Sequence, residues 1–184
     1  MDQFEFDSIL PAAQAGTDWA WERIYSELAG QVRGYVRRLG ASDPDDAVGE
    51  VFLHLARGIG GFEGTAATFR SWVFTIAHRR VLDDRRRLRR KPADPVAETP
   101  EPPPTTPDAT SDEALDTIGS DRVQALIEQL VPDQRVVLML RIVGGLTIAE
   151  IAETVGKSVG ATKALQRRGI AALQAILDTG GVSL

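Results

Sequence analysis

The sequence contains no cysteine, which excludes disulfides, thiol catalysis and Cys-based zinc sites and suits a reducing cytoplasm. It has only two histidines, His54 and His78, so a His-rich metal centre is not expected. No apolar run approaches the roughly 20 residues needed to cross a bilayer, so no membrane insertion is expected. The acidic start, MDQFEFD, lacks the basic stretch of a secretory signal. There is no convincing strand pattern and no internal repeat. The glycines at 58, 60, 61 and 64 fit neither a P-loop nor a dinucleotide-binding pattern. Asp43, Asp45, Asp46 and Glu50 stand at helical spacing near a helix start, where acids suit the helix dipole or a basic partner better than a metal. Neither histidine has an evident catalytic partner. The expectation is a protein that is not an enzyme and uses no cofactor.

What is present is uneven charge. The net charge is −5, yet residues 79–91 hold eight basic side chains and two acids. Residues 92–121 hold eight acids and no Lys or Arg. A basic stripe of this kind can bind phosphate while the rest of the chain stays acidic. The same run also suits a helix C-terminus, where cations oppose the dipole. Just before it stand Phe62, Phe69, Trp72 and Phe74. Aromatics beside cations suit unpaired bases, which stack on rings while cations hold phosphates. Taken singly, these aromatics equally suit a core.

Hydrophobic residues make up 43% of the 184, enough to bury a core, and their spacing predicts an all-α chain of two small domains. Residues 1–91 form the first. Trp21, Ile24, Tyr25, Leu28, Val32, Tyr35, Val36 and Leu39 mark one face of a helix over 18–39. Ser42 or Asp43 caps the next, with Pro44 at its first position and Val48, Val51, Phe52 and Leu55 on one side. A third runs from about 67 to 89, apolar at its start and basic at its end. Residues 92–117 carry seven prolines and several acids and predict a flexible Pro-rich linker. Residues 118–184 form the second domain.

That second domain reads as one helix from Leu126, a Gly turn, a short helix, a second Gly turn and a longer helix. This is the form of a helix-turn-helix, whose second helix lies in the DNA major groove. Thr147 and Glu150 have capping-box spacing ahead of a helix over 148–155. Gly156 ends it, and Ser158 caps the last helix. The first turn of that helix carries Gly160, Ala161 and Lys163, with Gln166, Arg167 and Arg168 beyond. Small residues permit close approach to base edges, and the longer basic ones reach phosphates or bases.

Together these segments resemble the extracytoplasmic-function (ECF) sigma factors of bacterial RNA polymerase, the group IV branch of the sigma family. AAQAGTDWAWERIY looks like the opening helix, DPDDAVGEVFLHLA like the segment that docks on the polymerase β′ clamp helices, and FRSWVFTIAHRRVLDDRRR like the part that melts and reads the −10 element. Residues 130–163 look like region 4, which reads the −35 element and rests on the β flap. The resemblance implies polymerase docking through Asp45, Asp46, Glu50, Phe52 and Leu53. It implies a −10 contact set of Arg70, Trp72, Thr75, His78, Arg79 and Asp83, with Arg80, Arg85 and Arg86 on phosphates. It implies a −35 set of Lys157, Ser158, Gly160, Ala161, Thr162, Lys163 and Arg167, with Arg168 on a phosphate. The loop at 57–68 would help to capture an extruded base, whose extrusion costs a few kcal/mol. The partners implied are core polymerase, promoter DNA and an anti-sigma factor. The chain departs from the family pattern at Gly49, usually Gln, at Arg79, usually Asn, and over residues 161–165 of the recognition helix. Two other readings of the residues are a dimeric helix-turn-helix operator-binding regulator and a helical adaptor for acidic partners.

Overall fold

A computed structural model of the chain describes residues 2–90 and 126–179. The linker expected at 92–117 lies outside the described residues. The described residues are helices and turns without strands.

The first helix, α1 (Gln3–Gln14), has no counterpart among the elements expected from hydrophobic spacing. Its start is set by Asp2, whose Oδ1 accepts from Glu5 N at 2.8 Å, and it buries Phe6, Ile9 and Ala13. Helix α2 (Asp18–Arg38) buries Ile24, Leu28, Val32, Tyr35 and Val36 on the expected face. Tyr25, expected there too, stays 51% exposed. Helix α3 (Pro44–Gly58) begins as its sequence dictates. Asp43 accepts from Asp45 N and Asp46 N at 3.0 and 2.9 Å, and Pro44 takes the first turn, where its missing N–H is not needed. A 3-10 turn (Ile59–Gly61) leads to α4 (Ala66–Arg90), which buries Phe69, Val73, Phe74, Ala77 and Val81. Helix α2 packs on α1, α3 and α4, and α3 on α4.

In the C-terminal half the expected single helix from Leu126 is interrupted. Residues 126–128 are helical, and α5 (Pro132–Ile142) starts afresh. Proline disfavours helical backbone in the residue before it, and Val131 is extended at ψ 143°. Helix α6 (Ile148–Val155) has the expected capping box between Thr147 and Glu150. It ends at Gly156, whose φ of 66° is left-handed. Helix α7 (Val159–Thr179) follows and packs on α5 and α6. Leu138, Met139, Leu140, Leu146 and Ile151 fill this domain, and all but Leu138 are continuous with the core of the first.

Candidate nucleic-acid interface

Three surfaces carry the residues singled out by sequence. The first lies on α7. Ser158 Oγ accepts from Ala161 N at 3.2 Å and so caps the helix. Thr162 is fully buried, and its Oγ1 donates to Ser158 O at 3.0 Å. These two side chains shape the helix start, and its burial removes Thr162 from the −35 face where sequence had expected it. Gly160, Ala161, Lys163, Arg167 and Arg168 are exposed and follow one another at helical spacing. Lys157 pairs with Asp133 at 2.9 Å. The result is a helix whose narrow, small-residue start opens onto a cationic row, the shape required to enter a groove and grip its phosphate walls.

The second lies on α4, and depth divides it. Arg79, Asp83 and Arg86 form an exposed row, with Asp83 and Arg86 paired at 3.2 Å. Trp72 is half-buried and stacks on Phe62 at 5.2 Å, inside a cluster with Phe6 and Phe69. Gln14 Nε2 donates to Ile59 O and Phe62 O at 3.0 and 2.9 Å, so α1 holds the loop ahead of α4. His78 is only 4% exposed, which removes it from the surface where sequence had expected it. Its Nδ1 lies 3.0 Å from the hydroxyl of buried Tyr35. Burial, and then the positive charge of Arg85, hold the imidazole down at about 4. Arg85 itself donates to Leu39 O. Arg70 and Thr75 are half-buried against the C-terminal domain. Arg70 donates to Gly144 O and Val143 O at 3.0 and 2.8 Å and to Gln31 Oε1, Ser71 Oγ donates to Glu150 Oε1 at 2.7 Å, and Thr75 Oγ1 lies 3.0 Å from Thr154 Oγ1.

The third lies on α3. Leu53 is 56% exposed, whereas Phe52, expected beside it at the docking face, is largely buried and packs at a tilt against Tyr25, ring centroids 4.7 Å apart. Asp45 pairs with Arg33. Asp46 and Glu50 are held by Arg80 of α4, at 3.0 and 2.8 Å. Arg80, expected on phosphate, has a side chain only 10% exposed and also meets Asp84 at 2.6 Å. Burial works to lower its pKa, but Asp84, Glu50 and Asp46 together raise it. Its charge is thus engaged within the protein, tying α3 to α4 and fixing two carboxylates beside an apolar patch.

Sequence reasoning did not single out Ser71 or Gln31, nor show that the Gly turn at 143–145 meets α4. Their importance depends on contacts between residues far apart in the chain, and no local pattern carries that. Among the described residues no cluster has the make-up of a metal site, and no helix is long and apolar enough to cross a membrane.

Residues 24–91 match the family Sigma-70 region 2, and residues 120–173 match Sigma-70, region 4. The ECF RNA polymerase sigma factor SigD of Mycobacterium tuberculosis is 32% identical over 179 residues, 94% of this chain and 82% of SigD. The ECF RNA polymerase sigma factor BldN of Streptomyces coelicolor is 29% identical over 187 residues, 96% of this chain and 67% of BldN. The solved structure of CnrH in complex with the cytosolic domain of CnrY shares the fold, with a TM-score of 0.62 at 21% identity over 93% of this chain and 96% of that one. With both sigma regions matched in order and a relative of this identity along almost its whole length, the chain belongs to the extracytoplasmic-function sigma factors of bacterial RNA polymerase.

Proposed function

We propose that this sigma factor works in the cytoplasm, without catalysis of its own, by dividing promoter recognition between residues 1–91 and 118–184, with 92–117 as tether. The observation that carries the division is the pair of exposed basic rows, one on α4 and one on α7, in a chain of net charge −5. Arg79, Asp83 and Arg86 meet the −10 strand, with Trp72 and the loop before α4 forming the wall of a pocket for an extruded base. Lys163, Arg167 and Arg168 meet the −35 duplex, and Gly160 and Ala161 allow the helix to approach the base edges. Asp45, Asp46, Glu50, Phe52 and Leu53 dock on the clamp helices of the polymerase. Tethering two weak sites makes the second binding event intramolecular and raises overall affinity without new contacts. As in the family at large, the expected negative regulator is an anti-sigma factor that covers both domains.

The test is run-off transcription with core RNA polymerase on fragmented genomic DNA, with transcript 5′ ends sequenced. Discrete starts preceded by a shared two-part element are the expected result. No such starts with an active core enzyme and folded protein would refute the assignment.

A further inference from the structure

Helix α1 carries none of the residues assigned to polymerase or promoter, yet three of its side chains reach the loop that precedes α4. Gln14 Nε2 donates to both Ile59 O and Phe62 O, so one amide bridges the two ends of the 3-10 turn. Gln3 Oε1 accepts from Ala66 N at 2.8 Å, at the first residue of α4. Gln3 Nε2 donates to Asp7 Oδ1 at 2.5 Å, which leaves the amide oxygen facing the loop. Phe6 lies between the two glutamines in the chain and meets Phe62 edge-on, ring centroids 6.4 Å apart. Gln3 and Gln14 are eleven residues apart, about three helical turns, so they stand on one side of α1.

The stretch held in this way is poorly suited to holding itself. Residues 58–64 include four glycines, and glycine gives up more conformational freedom on being fixed than any other residue. With the chain pinned at Phe62 O and at Ala66 N, only Glu63, Gly64 and Thr65 remain as a tip. Thr65 N donates to Thr68 Oγ1 at 2.8 Å. A Cβ at Gly64 would run into that hydroxyl and stand 3.0 Å from the Phe62 ring, so the close approach requires glycine. Held at this point, Phe62 stays stacked on Trp72 with the ring planes 14° apart. That pair is the wall to which the extruded base is assigned.

We propose that Gln3 and Gln14 are positioning residues for base capture, clamping the loop from α1 so that the pocket wall has its receiving shape before DNA arrives. The proposal rests on the base-capture reading above and adds to it a helix assigned no DNA contact. A wall already ordered loses little freedom when a base enters. A loose one must be ordered at that moment, and the apparent affinity falls by the fraction of the time that the loop is correctly shaped. Both glutamines are exposed, so water replaces either amide when it is removed and the fold survives the loss. The effect of the clamp is therefore confined to the loop.

The test uses the full chain with core polymerase and a promoter located by run-off mapping. Fork-junction DNA is made with each nucleotide of the unpaired −10 strand replaced in turn by an abasic residue. The captured position is the one where loss of the base weakens wild-type binding most. Gln14→Met keeps the reach of the side chain and removes its donors. It is expected to weaken binding to the intact fork on the order of tenfold, and to the fork abasic at the captured position by less than about twofold. Gln3→Met combined with Gln14→Met is expected to enlarge the first loss and leave the second small. Hydrogen exchange on the free chain is expected to be faster over residues 59–66 in both variants and unchanged elsewhere. Losses of equal size on the two forks, whether large or nil, would overturn the positioning role. Unchanged exchange over 59–66 would remove the clamp itself. A wild type indifferent to base loss at every −10 position would instead defeat the base-capture reading. The exchange rates need no promoter and so keep the two failures apart.

Discussion

Replacing His78 with Gln should change how stability depends on pH. His78 and Tyr35 form a buried pair, with His78 4% exposed and Tyr35 fully buried. Burial raises the Tyr35 hydroxyl well above its ordinary pKa of 10, so it stays protonated, and it shares a hydrogen bond with Nδ1 of a neutral imidazole. Charging that ring would place a cation in the core and beside Arg85. The folded pKa of about 4 lies below the ordinary 6.5, so between these values the unfolded chain binds the proton and the folded chain does not. Stability is therefore complete above about pH 6.5 and falls as pH drops toward 4. A gap of about 2.5 pH units corresponds to about 3 kcal/mol, lost at up to about 1.4 kcal/mol per pH unit. Gln does not titrate and offers Tyr35 either a donor or an acceptor. Urea denaturation followed by circular dichroism, repeated from pH 4.5 to 7.5 on both proteins, gives the difference directly. Carboxylates titrate alike in both and cancel. Parallel curves for wild type and H78Q across this range would show that the imidazole does not lie neutral in the core.

Gly49→Gln should stabilise the fold by about 0.5–1 kcal/mol, because Gly49 sits inside α3 and a Cβ there would meet nothing within 4 Å. The same change should tighten binding to core polymerase, read by a fluorescence-anisotropy titration. Arg80→Ala should cost about 3 kcal/mol in urea denaturation, since it leaves Asp84, whose side chain is only 7% exposed, without its cation. Arg80→Lys should restore only part of this, because one ammonium cannot match the fork that meets Asp46, Glu50 and Asp84 together. Changing Arg167 and Arg168 to Ala should weaken −35 duplex binding and reduce the slope of log affinity against log salt by about 2. An unchanged slope would place α7 away from the phosphates.

Local signals were legible where neighbouring residues in sequence also meet in space. Asp43 with Pro44, Thr147 with Glu150, and Gly156 each fix a helix end through contacts within a few positions, and each does so in the structure. The amphipathic face of α2 was legible for the same reason, apart from Tyr25, which turns outward onto Phe52 of α3. Helix α1 carries its own start signal, Asp2 capping Glu5 N, which the hydrophobic spacing that marked the other helices did not include. Depth was not legible. His78 and Arg80 lie two residues apart in one basic stretch, and nothing in their spacing says that one joins Tyr35 in the core while the other meets three carboxylates. Such contacts depend on how α2, α3 and α4 are set against one another.

The distinction between arginines by depth is what reconciles an acidic chain with a nucleic-acid surface. Arg70, Arg80 and Arg85 each have partners within the fold, and those partners come from α2, α3, the Gly144 turn and the loop after α2. These arginines fix the relative setting of the helices. Arg79, Arg86, Arg167 and Arg168 are exposed at the surface. Of these, Arg86 must first leave Asp83, and Arg70, Arg80 and Arg85 their partners in the fold, so counting basic residues overstates the electrostatic contribution to DNA binding. Arg80 holds the acids Asp46 and Glu50 on the face assigned to polymerase, while Arg70 on the same helix holds the C-terminal domain.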